Sequence, residues 1–395
     1  MDIPYSVKTN SKNSPEYNSY LNSEIWKPLT KILSASQLID KNDRLLNYLY
    51  QKIKLQYKKF PLRKDGTDPF MHPLNTFYYL KKSGITDPVT LAAGLLHDYI
   101  EENVDLHKEK KKIGNDEKSF KILSEYELKL LRELHQELKL FCKEENINPA
   151  LAKKITDVIY ILTRDKTHLY YHSISEIFNS KNEKTKQRAI QVKLADRTHN
   201  IQTLSSYNEE GSIYQCFKNL FILNNTKRYL LEVGSNKKKK DIASTKKLYA
   251  KCCKSTYEAF LDVCHLSSIN KHGRVKSMLL LSFRKYVSEY GGLWAVTKVR
   301  KDETHLVRIF QGIIRKYDAR LHMEYDRFEK MENYEVDFCK KYFTEFNFNK
   351  KQLKSLIYYK DAYALKEVVV RLLYKKDYVI FRFGCSDLCT RGKID

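Results

Sequence analysis

The stretch Leu91-Ala92-Ala93-Gly94-Leu95-Leu96-His97-Asp98-Tyr99-Ile100-Glu101-Glu102-Asn103 runs apolar and then turns abruptly polar. An apolar run of this kind buries a helix. The imidazole and carboxylates at its end are costly to bury unless something pairs with them. His97 and Glu101 are four residues apart, as are Asp98 and Glu102, so a helix running through them makes neighbouring pairs. A divalent metal is the common user of such groups. Whether one is used here depends on whether the chain supplies further ligands.

Composition favours helices. Only 12 glycines and 8 prolines occur in 395 residues, which disfavours a turn-rich all-β fold. The 42% hydrophobic content and 29 tyrosines imply a folded chain. No apolar run approaches the roughly 20 residues of a membrane span, and the polar first twenty residues carry no secretory leader. A cytoplasmic location is expected, with export as an effector without a secretory leader left open. The eight cysteines form no paired CxxC motif and read as thiols of a reducing compartment. The net charge of +24 attracts polyanions. Its lysine runs at 108–112 and 237–240 are not interleaved with aromatics, so dedicated nucleic-acid binding is not the expected role.

Residues 1–39 read as a Ser/Asn-rich arm followed by a helix over about 24–39. Helical spacing resumes with Leu45, Leu46, Leu49, Ile53 and Tyr57 and stops before Pro61. His72-Pro73 opens the next helix, with Gly84 as its C-cap, and Asp87-Pro88 opens another. The lysine- and acid-dense residues 104–121 are expected to form an exposed loop within an insertion at about 104–150. Amphipathic helices follow over 123–145, 150–163, from about 184, and 215–232. Gly234-Ser235-Asn236 marks the expected boundary between a domain at 40–233 and a mostly helical C-terminal region at 241–395, whose role and protein partner are unknown.

On the helix from Gln191 to Leu204, Asp196, Asn200 and Thr203 make one polar stripe among apolar residues, able to bind a metal and hydrogen-bond its substrate. Lys193 and Arg197 lie off that stripe and could pair with acids or phosphate. Taken singly, His72 suits a helix start, Asp196-Arg197 a structural ion pair, and Glu101-Glu102 a solvated helix end. Their joint order changes the reading.

The succession His72, His97-Asp98, Asp196 resembles the metal set of the HD superfamily of phosphohydrolases. Three segments are similar to one branch, the hydrolase domain of RelA/SpoT homologues and small alarmone hydrolases: Arg63-Lys64-x-Gly66 before His72-Pro73, residues 92–102 around His97-Asp98, and residues 192–204. The resemblance covers about residues 40–232. It implies an all-α fold, an HD-type helical bundle, and a Mn²⁺ held by His72, His97, Asp98 and Asp196. Glu101, with Glu102, would then orient or deprotonate the attacking water. Arg63, Lys64, Asn200 and Thr203 would hold a guanosine polyphosphate, placing the activity in the stringent response.

The chain departs from the branch in three ways. Glu102 stands where an aspartate is usual, Thr198 where a leucine is, and the segment between Asp98 and Asp196 is longer. No synthetase signature follows. The implied activity is hydrolysis of the 3′-pyrophosphate of (p)ppGpp to pyrophosphate and GDP or GTP. Hydrolysis of another nucleotide, of dNTP or NADPH type, stays open. So does a basic interaction or effector protein whose C-terminal region binds a partner.

Overall fold

A computed structural model describes residues 24–63, 65–164, 170–235 and 242–270. These form an all-α bundle of helices α1 (Ala35–Leu38), α2 (Arg44–Tyr57), α3 (Met71–Lys82), α4 (Pro88–Leu96), α5 (Tyr99–Lys111), α6 (Glu117–Glu144), α7 (Ala150–Leu162), α8 (Tyr170–Asn179), α9 (Glu183–Gln202), α10 (Glu209–Ser235) and α11 (Ile242–Asn270). The expected fold class is the one observed over these residues. The C-terminal region beyond residue 270 lies outside them.

α9 is the axis. It packs against α3, α4, α7, α8, α10 and α11, and along it Ala189, Ile190, Val192, Leu194, Ala195 and Ile201 are buried on more than one side. A helix buried all round cannot turn its polar residues to water, so each finds a partner. Gln191 reaches Thr245 at 2.9 Å and Arg197 reaches Asn219 at 2.6 Å and Gln215 at 2.9 Å. Gln202 accepts from Tyr79 and donates to the Trp26 carbonyl at 2.8 Å. Arg197 therefore ties α9 to α10 through Asn219 and Gln215, and not through the ion pair with Asp196 that the dipeptide taken singly suggests.

Local signals set several helix ends where expected. Asp87 caps α4 by accepting from the Thr90 N–H at 3.0 Å, with Pro88 at the first helical position. Gly84 takes φ +88°, and the N–H of Ile85 returns to the Leu80 carbonyl, closing α3. Asp43, Asp116 and Asn182 cap α2, α6 and α9 in the same manner.

Three expectations are corrected. Residues 24–34 form no helix; only α1 is helical in this region. They run as a strap whose backbone is satisfied from outside: Leu29 N–H donates to Asn75 at 2.7 Å, and the Trp26 carbonyl takes the Gln202 amide. Trp26 stacks on Tyr79 with ring centres 5.8 Å apart. Pro28 has no N–H to continue a helical ladder.

Residues 104–121 are not a loop. α5 continues to Lys111, a short turn follows with Lys112 at φ +51°, and α6 begins at Glu117. Lys108, Lys110 and Lys111 occupy the last turn of α5, where the helix dipole favours cations. α6 buries Leu123, Leu131, Leu134 and Leu138, stacks Phe141 on Tyr48 and pairs Glu137 with Lys52 at 2.7 Å, fixing it to α2.

Nor does one helix run through His97 and Asp98. α4 ends at Leu96, His97 follows as its C-cap, and α5 starts after Asp98. The chain turns at the two residues that carry the chemistry.

On either side of the boundary expected at Gly234, α10 and α11 pack against each other and against α9. Leu248, Cys252 and Phe260 of α11 are buried in the common core.

Asp87 also accepts from two guanidinium nitrogens of Arg188, Nε at 2.8 Å and Nη2 at 3.1 Å, clamping α4 to α9. Burial opposes its charge, but Arg188 and Thr90 outweigh it and hold the carboxyl below its ordinary value of 3.8. A lowered carboxyl stabilises the fold above that value and ceases to do so as pH falls through the native one. The side chain is 36% exposed, so the effect is modest. Asp87→Asn should cost about 1 kcal/mol at pH 7. The gap to wild type should close below the ordinary carboxyl pKa. Urea titrations of both proteins at pH 7 and pH 3 check this; a gap unchanged at pH 3 contradicts it.

Candidate metal centre

Three places in the chain meet at one point: the first turn of α3, the α4–α5 break, and the middle of α9. They bring His72, His97, Asp98 and Asp196 together. His72 Nε2 lies 3.0 Å from His97 Nε2, 3.1 Å from Asp98 Oδ2 and 3.3 Å from Asp196 Oδ1. His97 Nε2 is 3.2 Å from Asp98 Oδ2 and 4.0 Å from Asp196 Oδ1. His72, His97 and Asp196 are buried, whereas the Asp98 side chain is 26% exposed and opens the cluster to one side.

The His97 ring has a defined proton. Its Nδ1 lies 2.9 Å from the Gly94 carbonyl oxygen, which can only accept, so in the neutral ring Nε2 carries a lone pair into the cluster. Lone pairs and carboxylate oxygens thus converge with few protons to share. Ligands about 2.1 Å from a common ion and at right angles are about 3 Å apart, which is the spacing of His72 from the other three and of His97 from Asp98. Mixed imidazole and carboxylate donors suit a borderline divalent cation of the first transition row. The residues fit a metal.

Electrostatics agree. Asp196 is deeply buried, which opposes its charge. Lys193 Nζ at 2.8 Å from its Oδ2, with His72 and His97, outweighs that and holds the carboxyl far below the usual range. For Asp98, burial is likewise overcome by His97 and His72. Burial works against a proton on His97, but the charges of Asp98 and Asp196 raise its basicity.

The other expected site residues fall into distinct places. Glu102, one turn after Asp98, is partly buried, and burial followed by the Asp98 charge pushes its carboxyl up to about 7. Glu101 Oε1 accepts from the Arg164 N–H at 2.7 Å and so anchors the end of α7. Asn200 donates to Asp196 Oδ1, and the Thr203 hydroxyl bonds carbonyls of its own helix, those of His199 and Asn200, both at 3.3 Å. Arg63 sits in a turn closed by the Gly66 N–H on its carbonyl at 2.8 Å, with Gly66 at φ +78°. Its charge reaches His199 and Tyr57 beside the cluster. Lys64 lies outside the described residues.

Sequence reasoning missed one residue and left the partner of another open. Lys193, read as off the stripe and able to pair with an acid or phosphate, grips the second oxygen of Asp196. His199, inside the quoted motif, received no role; its Nδ1 lies 2.9 Å from His72 Nδ1. Burial first, then the neighbouring His72 and Arg63, pushes its basicity down to about 2, so it is neutral. The available signal was its offset of three from Asp196, which puts both on one side of α9.

Residues 70–201 match the HD domain. The matched segment encloses all four ligand candidates together with Glu101, Glu102 and Asn200, and leaves Arg63, Lys64 and Thr203 outside. An HD domain carrying the buried group His72, His97 and Asp196 fits a metal-dependent phosphohydrolase. No curated protein and no solved structure matches the chain significantly. No helix among the described residues is long and apolar enough to cross a membrane.

A cation bound only by the folded cluster stabilises by mass action, about 2.7 kcal/mol at a hundred times its dissociation constant. Millimolar Mn²⁺ should therefore raise the melting temperature of the wild type by several degrees and leave Asp98→Ala unmoved. Thermal scans against Mn²⁺, Mg²⁺ and Ca²⁺ test this; an equal rise in both proteins would place the binding elsewhere.

Proposed function

We propose that this chain is a Mn²⁺-dependent hydrolase of the 3′-pyrophosphate of (p)ppGpp, releasing pyrophosphate and GDP or GTP. The observation that carries the phosphohydrolase reading is the convergence of His72, His97, Asp98 and Asp196 at about 3 Å spacing inside a matched HD domain. The alarmone reading rests on sequence: the segments around Arg63, His97-Asp98 and Asp196 resemble that branch of the superfamily. Mn²⁺ accords with the nitrogen and oxygen donors. Acting on a guanosine polyphosphate, the protein would work in the cytoplasm.

A metal held there would polarise a phosphoryl oxygen and lower the pKa of water. The chain's own residues do the rest. Asp98, the most exposed of the four, faces the open side where a phosphate must enter. Glu102 stands one turn beyond it and is placed to take the proton of the attacking water. Its extra methylene relative to aspartate lets the carboxylate reach further from a helix that begins after the break. Glu101 keeps the α7 end in position through Arg164, so the two glutamates divide the work. Arg63 supplies positive charge at the rim for a phosphate or a stacked base, and Lys64, adjacent to it, would add to that charge. Asn200 steadies Asp196, and Thr203 closes the helix that carries both.

The purified full chain with Mn²⁺ should release pyrophosphate from (p)ppGpp, and little from GTP, dNTPs or NADPH. Asp98→Ala should lose at least 100-fold in kcat/KM, and Glu102→Gln about 10²- to 10⁴-fold in kcat, the usual worth of a general base. Turnover of dNTPs or NADPH without the alarmone would move the substrate assignment. Absence of turnover on the whole panel would sink the enzyme reading.

A further inference from the structure

A third imidazole is built into the cluster from behind. His199 packs against His72 with ring centres 5.0 Å apart and planes tilted by 48°, and the two Nδ1 atoms are 2.9 Å apart. Both residues are at most 4% exposed. A contact between two ring nitrogens at this distance holds one proton, which belongs to one ring or the other.

The two cluster histidines differ in this respect. The proton of His97 is fixed by the Gly94 carbonyl, which cannot donate. At His72 the partner is an imidazole, which can do either, so the backbone does not decide which nitrogen of His72 faces a cation with its lone pair. If His199 donated, His72 would keep its proton on Nε2, the atom 3.0–3.3 Å from His97, Asp98 and Asp196, and could not bind a metal there.

We propose that His199 is a positioning residue that accepts the Nδ1–H of His72 and thereby presents the His72 Nε2 lone pair to the divalent cation. His199 does not itself bind the metal. The role depends on the cluster being a metal centre and not on which nucleotide is hydrolysed. Ligand histidines commonly donate their second N–H to a carboxylate or carbonyl, and loss of such a partner weakens metal binding about 10- to 100-fold. Here a histidine from the same helix as Asp196 takes that part, so α9 contributes one ligand directly and orients another.

The test is Mn²⁺ affinity of the full chain without nucleotide, followed by calorimetry and by the paramagnetic resonance of free Mn²⁺. His199→Phe keeps a ring but removes the acceptor and should weaken binding 10- to 100-fold. His199→Gln restores an acceptor oxygen and should recover part of it. Nitrogen-15 spectra of the histidine-labelled Zn²⁺ form should show His72 protonated at Nδ1 and His199 at Nε2. Wild-type affinity in His199→Phe would overturn the proposal. So would equal weakening in both variants, or a proton on His199 Nδ1 in the Zn²⁺ form. That last measurement needs no variant and decides the matter if His199→Phe fails to fold. The expected affinity pattern in a protein that hydrolyses no nucleotide would reject the alarmone reading and leave His199 in its role. Turnover with unchanged affinity in His199→Phe would do the reverse.

Discussion

The structure depends on bringing two carboxylates to within about 3–4 Å of two imidazoles in a largely dehydrated interior. Charge buried in this manner costs several kcal/mol per ion unless it is compensated. The neighbouring elements are arranged around that requirement. Lys193 neutralises the outer oxygen of Asp196, Asn200 donates to the inner one, the Gly94 carbonyl fixes His97, and His199 meets His72. Few of these partners could be removed without leaving an unpaired polar atom in the core, so the cluster and the bundle specify each other.

The break between α4 and α5 belongs to the same requirement. On a continuous helix His97 and Asp98 would project about 100° apart. Ending α4 at Leu96 instead allows His97 Nε2 and Asp98 Oδ2 to approach to 3.2 Å while Leu95, Leu96 and Ile100 stay buried on both sides. Gly94 serves this turn twice. Its carbonyl holds the His97 ring, and its missing side chain gives room to Leu80 of α3, whose Cδ1 would lie 2.4 Å from an added Cβ.

Much of this was legible in the chain because short-range signals carried it. Asp87-Pro88 and Gly84 end helices through their own backbone preferences, and Leu45, Leu49 and Ile53 show one apolar face whatever they pack against. The candidate ligands were legible through the order and local surroundings of four residues, which the structure brings together. What was not legible depended on partners distant in sequence. The strap at 24–34 looked helical by composition, but Asn75 and Gln202 satisfy its backbone in another conformation. Residues 104–121 looked like a loop because their charges hid the few apolar positions that dock α5 and α6. Which acid Lys193 would meet, and any role for His199, were hidden because each is defined by an atom it touches on or across α9, and not by its spacing alone.

By itself, then, the sequence determined that the chain is helical, where most helices begin and end, and which four side chains could share a cation. Those properties follow from backbone preferences and periodicity, which act over a few residues. Only the tertiary structure decided that the chain turns between His97 and Asp98, that Glu101 anchors Arg164 while Glu102 stays beside Asp98, and that a lysine and a third histidine complete the cluster. These are consequences of burial: once water is excluded, each polar atom must find its partner in space, and a partner's distance along the chain no longer matters.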